Sequence, residues 1–177
     1  MVQDKFLIYT LGPEGTNCAN AARWWLDSKR SAREDFKEVG VRLFKTLEGA
    51  FDVLSVKRDG YLLSCAAYPD LHTLVFARLR EMELFDSFVI PTHNMVIASK
   101  VKRSEIKSIA THPAPQSLAW HGLRKVFANS NADAACICRS GGADACVTTS
   151  VAANAYGLEV MDDFGAVPMA FLLHRMK

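Results

Sequence analysis

Short apolar runs alternate with amphipathic stretches along this chain, the rhythm of strands followed by helices. Phe6-Leu-Ile-Tyr9 predicts a strand over residues 5–11, and the alanine-rich stretch ending in Trp24-Trp25-Leu26 predicts a helix over 17–28. A charged connection at 31–37 leads to a second strand at 39–44. Thr46 is placed to cap a helix running towards Leu54, with Glu48 in its first turn. Residues 62–68 read as a short buried strand, and the leucines, Val75, Phe76 and Met82 of 71–84 read as a helix. The β-rich stretch 88–98 is interrupted by Pro91, which calls for a bend or an edge position. Beyond it the pattern predicts strands at 106–111, 145–149, 158–161 and 169–173, and helices at 115–127, 133–139 and 151–156, the last closed by Gly157.

Strands alternating with helices in this way indicate an α/β fold with mainly parallel sheets. Two crossings, near 91–99 and 162–168, divide the chain into a first lobe of about 1–92 plus 165–177 and a second of about 98–162. A ligand is expected in the cleft between such lobes.

The chain has 177 residues, half of them hydrophobic and 23% charged, with a net charge of +2. That composition is globular rather than disordered. The basic clusters, Lys100-Val-Lys-Arg103 and Lys29-Arg30 to Arg33, carry no interleaved aromatics, so a nucleic-acid partner is not expected. No apolar run approaches the roughly 18 residues that span a bilayer, so a membrane partner is not expected either. Residues 1–5 show no signal-peptide pattern, and a cytoplasmic location is the expectation. The Trp24-Trp25 pair is a candidate anchor for a homodimer, although one ring in the core and one partly exposed is the simpler arrangement.

Five cysteines, at 18, 65, 136, 138 and 146, form no C-x-x-C motif. Free, mostly buried thiols are expected. Cys18 is singled out because it lies near a predicted helix N-terminus, where a thiol pKa can fall.

Chemistry concentrates in three strand-to-helix turns. In Thr10-Leu-Gly-Pro-Glu-Gly-Thr-Asn17, the backbone N–H groups of Gly15, Thr16 and Asn17 are placed to meet an anion at the positive end of a helix. Glu14 is the candidate proton donor beside it. In Thr111-His-Pro-Ala-Pro-Gln-Ser117, Pro115 suits a first helical position, while Thr111, Gln116 and Ser117 could hold a carboxylate. His112 is there as donor or proton shuttle. In the third turn, Thr149 or Ser150 caps the helix that follows 145–149, a role compatible with ligand contact, and Thr149 is a candidate substrate-binding residue. Each turn also admits a plainer reading, in which glycines permit the backbone path and hydroxyls cap helices. No dinucleotide fingerprint, phosphate loop, metal cluster or nucleophile elbow occurs, so no cofactor or metal is expected. The expected partner is a small-molecule carboxylate.

Four motifs, in order, resemble the prephenate dehydratase family: Leu11-Gly-Pro-Glu-Gly-Thr16, Ile90-Pro-Thr-His-Asn94, Thr111-His-Pro113 and Ala153-Asn-Ala-Tyr-Gly-Leu-Glu-Val160. The resemblance implies a two-lobed α/β fold of the type II periplasmic-binding kind. No ACT domain is seen after it, and feedback by phenylalanine of the usual kind is not expected. Where a dehydratase carries Thr-Arg-Phe on its last strand, this chain has Met169-Ala170-Phe171, and the Glu-Asn-Ser segment gives way to Ser64-Cys-Ala-Ala-Tyr68. Those departures look like the non-aromatising prephenate decarboxylases of the bacilysin type, in antibiotic biosynthesis. That resemblance implies a cofactor-free lyase that removes the ring carboxylate and keeps the hydroxyl, with Tyr68 and Met169 shaping the ring pocket. Two further readings stand beside it: a dehydratase-like enzyme acting on a seven-membered-ring precursor of the tropodithietic acid kind, and a non-catalytic module that binds a small acid.

Overall fold

A computed structural model of the chain describes residues 5–28 and 38–177. The charged connection 31–37, the basic cluster Lys29-Arg30 to Arg33 and residues 1–4 lie outside the described residues. Two compact units emerge, one of Met1–Ile90 with Met169–Lys177 and one of Pro91–Pro168. Each is built on its own five-stranded mixed sheet with helices, an α/β fold.

The first unit begins with β1 (Lys5–Leu11), α1 (Asn17–Ser28), β2 (Glu38–Phe44), α2 (Leu47–Lys57) and β3 (Gly60–Cys65). It continues through α3 (Leu71–Ala77) and β4 (Met82–Pro91), and β10 (Pro168–Met176) returns to complete the sheet in the order β2-β1-β3-β10-β4. β1 runs parallel to β2 and β3, whereas β10 runs antiparallel to β3. Because successive side chains on a strand point to opposite faces, β1 feeds two cores. Phe6 and Ile8 pack with Ala21, Ala22 and Trp25 of α1, while Leu7 and Tyr9 pack with Leu47, Phe51 and Leu54 of α2. Burying each such large side chain stabilises the fold by about 1.5–3 kcal/mol. Close approach of β1 and β3 requires Gly60, where an added Cβ would sit 2.0 Å from the Leu7 carbonyl oxygen.

The second unit holds β5 (Met95–Ser99), β6 (Ser108–Thr111), β7 (Arg124–Phe127), α4 (Asn131–Ser140), β8 (Ala145–Thr149), α5 (Ser150–Ala155) and β9 (Glu159–Asp163). Its sheet order is β7-β6-β8-β5-β9, with β6 parallel to both β7 and β8, and β5 antiparallel to β8 and β9. Alanines of α4 and α5 close one face over Val96, Ala98, Ala110 and Cys146. Ile97, Ile109 and Val147 form the other core with Leu118 and Trp120. Small side chains let α4 lie close to β8, which leaves Cys138 and Cys146 fully buried.

Two predicted helices are corrected. The stretch 71–84 is helical only to Ala77, because Met82 turns inward on an extended strand and Glu83 pairs with Arg175 of β10 at 2.7 Å. The stretch 115–127 contains only a 3-10 turn, Gln116–Leu118, followed by Gly122 at φ 82 and then β7. A left-handed glycine ends the helical path, and β7 pairs with β6. The strand predicted at 62–68 spans Gly60–Cys65, and 88–98 divides into the end of β4 and β5. Trp25 is 3% exposed and Trp24 45%, so the pair splits between core and surface. Among the described residues, no helix is long and apolar enough to cross a membrane.

Candidate functional site

In the first unit, the carboxyl ends of β1 and β3 and the start of β10 share one sheet edge, since Leu7 pairs with Gly60 and Phe171 with Cys65. The turn after β1 is shaped by Gly15 at φ 82. Thr16 caps α1: its Oγ1 accepts the Ala19 N–H at 3.3 Å and donates to the Leu11 carbonyl at 3.1 Å. Asn17 opens a helix of 12 residues, so the turn meets the positive end of a full helix dipole. Glu14 is exposed and its Oε2 receives Arg23 Nη2 at 2.6 Å, so its carboxylate is braced against α1 rather than buried.

Tyr68 and Met169 pack against different cores. Met169 lies with Phe171, Cys65 and α1 residues, whereas Tyr68 joins the α2 side and donates its hydroxyl to Glu48 Oε2 at 2.7 Å. Burial, with help from the Glu48 carboxylate, pushes the Tyr68 phenol up to about 12. Tyr68 is therefore a neutral donor at physiological pH.

In the second unit, the ends of β6 and β8 are neighbours, because Ile109 pairs with Ala145 and Ala110 with Cys146 in parallel. That register brings Thr111, His112 and Thr149 to one edge. Thr111 is fully buried, and its Oγ1 donates to the His112 carbonyl at 2.9 Å. The Ala114 N–H donates to His112 Nδ1 at 3.2 Å, which assigns the ring proton to Nε2. Burial holds His112 below the ordinary imidazole value. The ring is therefore neutral at pH 7, with an Nε2–H donor.

Thr149 caps α5 by accepting the Ala152 N–H at 3.2 Å, and the Ser150 N–H donates to the Asn94 carbonyl at 2.8 Å. Those groups are thus committed to the fold, as are the Thr16 and Ala19 N–H groups of the α1 turn, which go to the Pro13 carbonyl and Thr16 Oγ1. Gln116 and Ser117 stand in the 3-10 turn rather than at a helix N-terminus, so the dipole expected there is only a fragment.

Sequence reasoning gave no separate role to Asn94. Asn94 Nδ2 donates to Asp163 at 3.0 Å, and Asp163 also accepts the Gly165 N–H at 2.8 Å. These bonds hold the Asp163 carboxyl below its usual range, the Gly165 N–H first. Asn94 lies in a quoted motif, but only the folded chain shows its structural partner. Among the described residues, no three His, Cys, Asp or Glu side chains gather as metal ligands.

No protein-family model matches the chain, and no curated protein matches it in sequence. Solved structures do match its fold. Prephenate dehydratase from Arthrobacter aurescens, in complex with L-Phe, aligns over 97% of this chain and 60% of its own, at 18% identity and TM-score 0.68. Prephenate dehydratase from Staphylococcus aureus aligns over 97% of this chain and 66% of its own, at 13% identity and TM-score 0.65. The periplasmic VFT2 domain of Bordetella pertussis BvgS aligns over 98% and 81%, at 15% identity and TM-score 0.57. This chain therefore spans less than two thirds of either dehydratase chain. Its fold is that shared by prephenate dehydratases and periplasmic-binding domains.

Proposed function

We propose that the chain is a cofactor-free lyase that decarboxylates prephenate, or a related cyclic polyene acid, without aromatising the ring. The observation that carries this reading is the neutral His112 imidazole, fixed by the Ala114 N–H so that Nε2–H faces outward from the ring as a donor. Two further features agree with it. Met169 stands where the resemblance implies a dehydratase would place the threonine that assists hydroxyl loss, and a thioether has no proton to give a leaving hydroxyl. The α1 turn sits at the positive end of a 12-residue helix without a competing buried carboxylate, since Glu14 is exposed.

In the proposed step the bond from the ring to its carboxylate breaks and carbon dioxide leaves. The electron pair moves through the ring double bonds, a ring carbon takes a proton, and the hydroxyl stays. His112 Nε2–H stabilises negative charge developing on the substrate, a type of contribution worth about 10²–10³-fold per donor. Water supplies the proton, relayed by the Glu14 carboxylate. Within the first unit, the turn of Gly15, Thr16 and Asn17 is the candidate carboxylate holder and Tyr68 a neutral donor; within the second, Thr111, Gln116, Ser117 and Thr149 are the candidate binding residues beside His112. Antibiotic biosynthesis belongs to this proposal through the bacilysin-type resemblance, and a cytoplasmic setting is proposed with it.

Pure protein incubated with prephenate and followed by NMR should release carbon dioxide in step with a non-aromatic product that keeps its alcohol. Phenylpyruvate as the product would overturn the reading in favour of dehydration. A second reading, binding of a small acid without turnover, is favoured by the brace between Glu14 and Arg23 and by the likeness to a periplasmic VFT2 domain. Calorimetric binding with prephenate recovered intact would establish it.

A further inference from the structure

β3 and β10 run antiparallel, so the first residues of β3 and the last of β10 meet at one end of the first sheet, where Tyr61 pairs with Arg175. β4 starts at the same end, because Glu83 reaches Arg175 and the Lys177 N–H donates to the Glu81 carbonyl at 2.9 Å. A cavity of about 410 Å³ opens there, with Arg58, Tyr61, Glu83, Arg175 and Lys177 on its wall. That volume lies within the roughly 300–1,000 Å³ of small-molecule sites. The turn that follows β3 is at the far end of this six-residue strand, which rises about 3.3 Å per residue. The cavity is therefore separate from the candidate site.

Three of the lining side chains are basic and one is acidic, which leaves two positive charges on the wall. Glu83 is committed to Arg175, whose Nε and Nη2 both lie 2.7 Å from Glu83 Oε1. The Phe85 ring centroid stands 5.2 Å from the same guanidinium, and Tyr61 packs on Phe85 at 4.8 Å. Arg175 is thereby held on two sides in advance of a ligand, which lowers the ordering cost of binding. Lys177 Nζ donates to the Leu79 carbonyl at 2.8 Å, and Arg58 Nη2 donates to the Lys177 carbonyl. A carbonyl orients a cation without cancelling its charge.

Arg58 adds an independent sign. It follows α2 directly, and its φ of 51 and ψ of 30 make it the one non-glycine residue in the left-handed region among the described residues. Glycine is the usual occupant of such a helix end, because a Cβ there crowds the backbone. The capping bond from the Arg58 N–H to the Leu54 carbonyl, 2.7 Å long, would form equally well with glycine. What arginine supplies in exchange for the strain is a guanidinium on the cavity wall.

We propose that this cavity binds a doubly charged oxyanion, of which inorganic phosphate is the simplest. Guanidinium groups present planar pairs of N–H donors that match the oxygens of such an ion, and an ammonium adds a point charge. Two net positive charges favour a dianion over a monocarboxylate. A ligand that binds the folded first unit and not the unfolded chain also raises stability by mass action.

The test titrates the full, isotope-labelled chain with inorganic phosphate at pH 8 and low ionic strength, followed by NMR. The amide signals of Gly60, Tyr61 and Met176, which line the cavity, should shift and saturate, with half-saturation at or below about 1 mM. Acetate should need at least about five-fold more. In Arg58→Gly the half-saturation point should rise roughly ten-fold, while the thermal midpoint holds or climbs as the left-handed strain is relieved. Lys177→Gln should weaken binding as well, and it decides the matter should Arg58→Gly fail to fold. Absence of saturable shifts, equal affinity for acetate, or variants that bind like the wild-type chain would overturn the proposal. So would shifts confined to Gly15–Asn17, which would assign the anion to the α1 turn instead. None of these readouts uses prephenate, so their outcome is independent of the lyase reading.

Discussion

The backbone N–H of Ala114 points at Nδ1 of His112 from 3.2 Å, across a turn that contains two prolines. That contact selects the tautomer, and burial keeps the ring neutral. If the neutral donor is the working form, His112→Ala should lower kcat for carbon dioxide release by about 10²–10³-fold. The pH dependence has a definite sign. Because the folded value lies below the ordinary value of about 6.5, the rate should hold to a lower pH than an ordinary imidazole would allow. It should decline only further into acid, as the ring gains its proton. A stopped assay across pH 5–8 checks this, and a rate that climbs on acidification would mean that the imidazolium is the active form.

Replacing Glu14 by Gln separates proton delivery from scaffolding. Exposed ion pairs such as Glu14–Arg23 contribute at most about 1 kcal/mol, so the urea midpoint should hardly move. Turnover should fall by about 10²–10⁴-fold if Glu14 relays the proton. Full turnover in the variant would leave water acting without it.

His174 lies on β10, is 6% exposed and has no hydrogen-bond partner at Nδ1 among the described residues. Burial lowers its pKa in the fold. The unfolded chain therefore binds a proton at about 6.5, where the folded chain still does not. Its effect on stability is absent above that pH and becomes a penalty as pH falls towards the folded value. Urea titrations between pH 7.5 and 5 should show stability declining in the wild-type chain and a shallower decline in His174→Leu.

Trp25 stacks on Phe6 at a 5.6 Å centroid distance and donates Nε1–H to Asp86 at 2.8 Å. Trp25→Ala should cost about 3–5 kcal/mol. Trp24, 45% exposed and stacked on Phe88 at 5.2 Å, should cost under about 1.5 kcal/mol when replaced by Ala. Chemical denaturation of both variants measures the contrast. A loss of self-association in Trp24→Ala by analytical ultracentrifugation would identify that ring as the anchor of a homodimer.

Much of this molecule was legible along the chain. The bounds of β1, α1 and β8, the Thr46 cap and the α/β class follow from local periodicity and capping, which short-range sterics and hydrogen bonds enforce. Residues 78–84 and 119–127 were not legible in this way. Met82 and Val126 are inward positions on strands, and a stretch with few apolar residues reads equally well at period 2 or 3.6 until a partner strand selects one. The candidate site divides similarly. Local sequence placed the turns and named His112 and Glu14. Only tertiary contacts decided that His112 is neutral, that Glu14 is braced by Arg23, that Tyr68 and Met169 face different cores, and that Cys65 and burial push the Cys18 thiol up rather than down. Protonation and reactivity depend on what surrounds a group in space, and residues 47 positions apart in the chain, Cys18 and Cys65, acquire those surroundings only when β3 lies under α1.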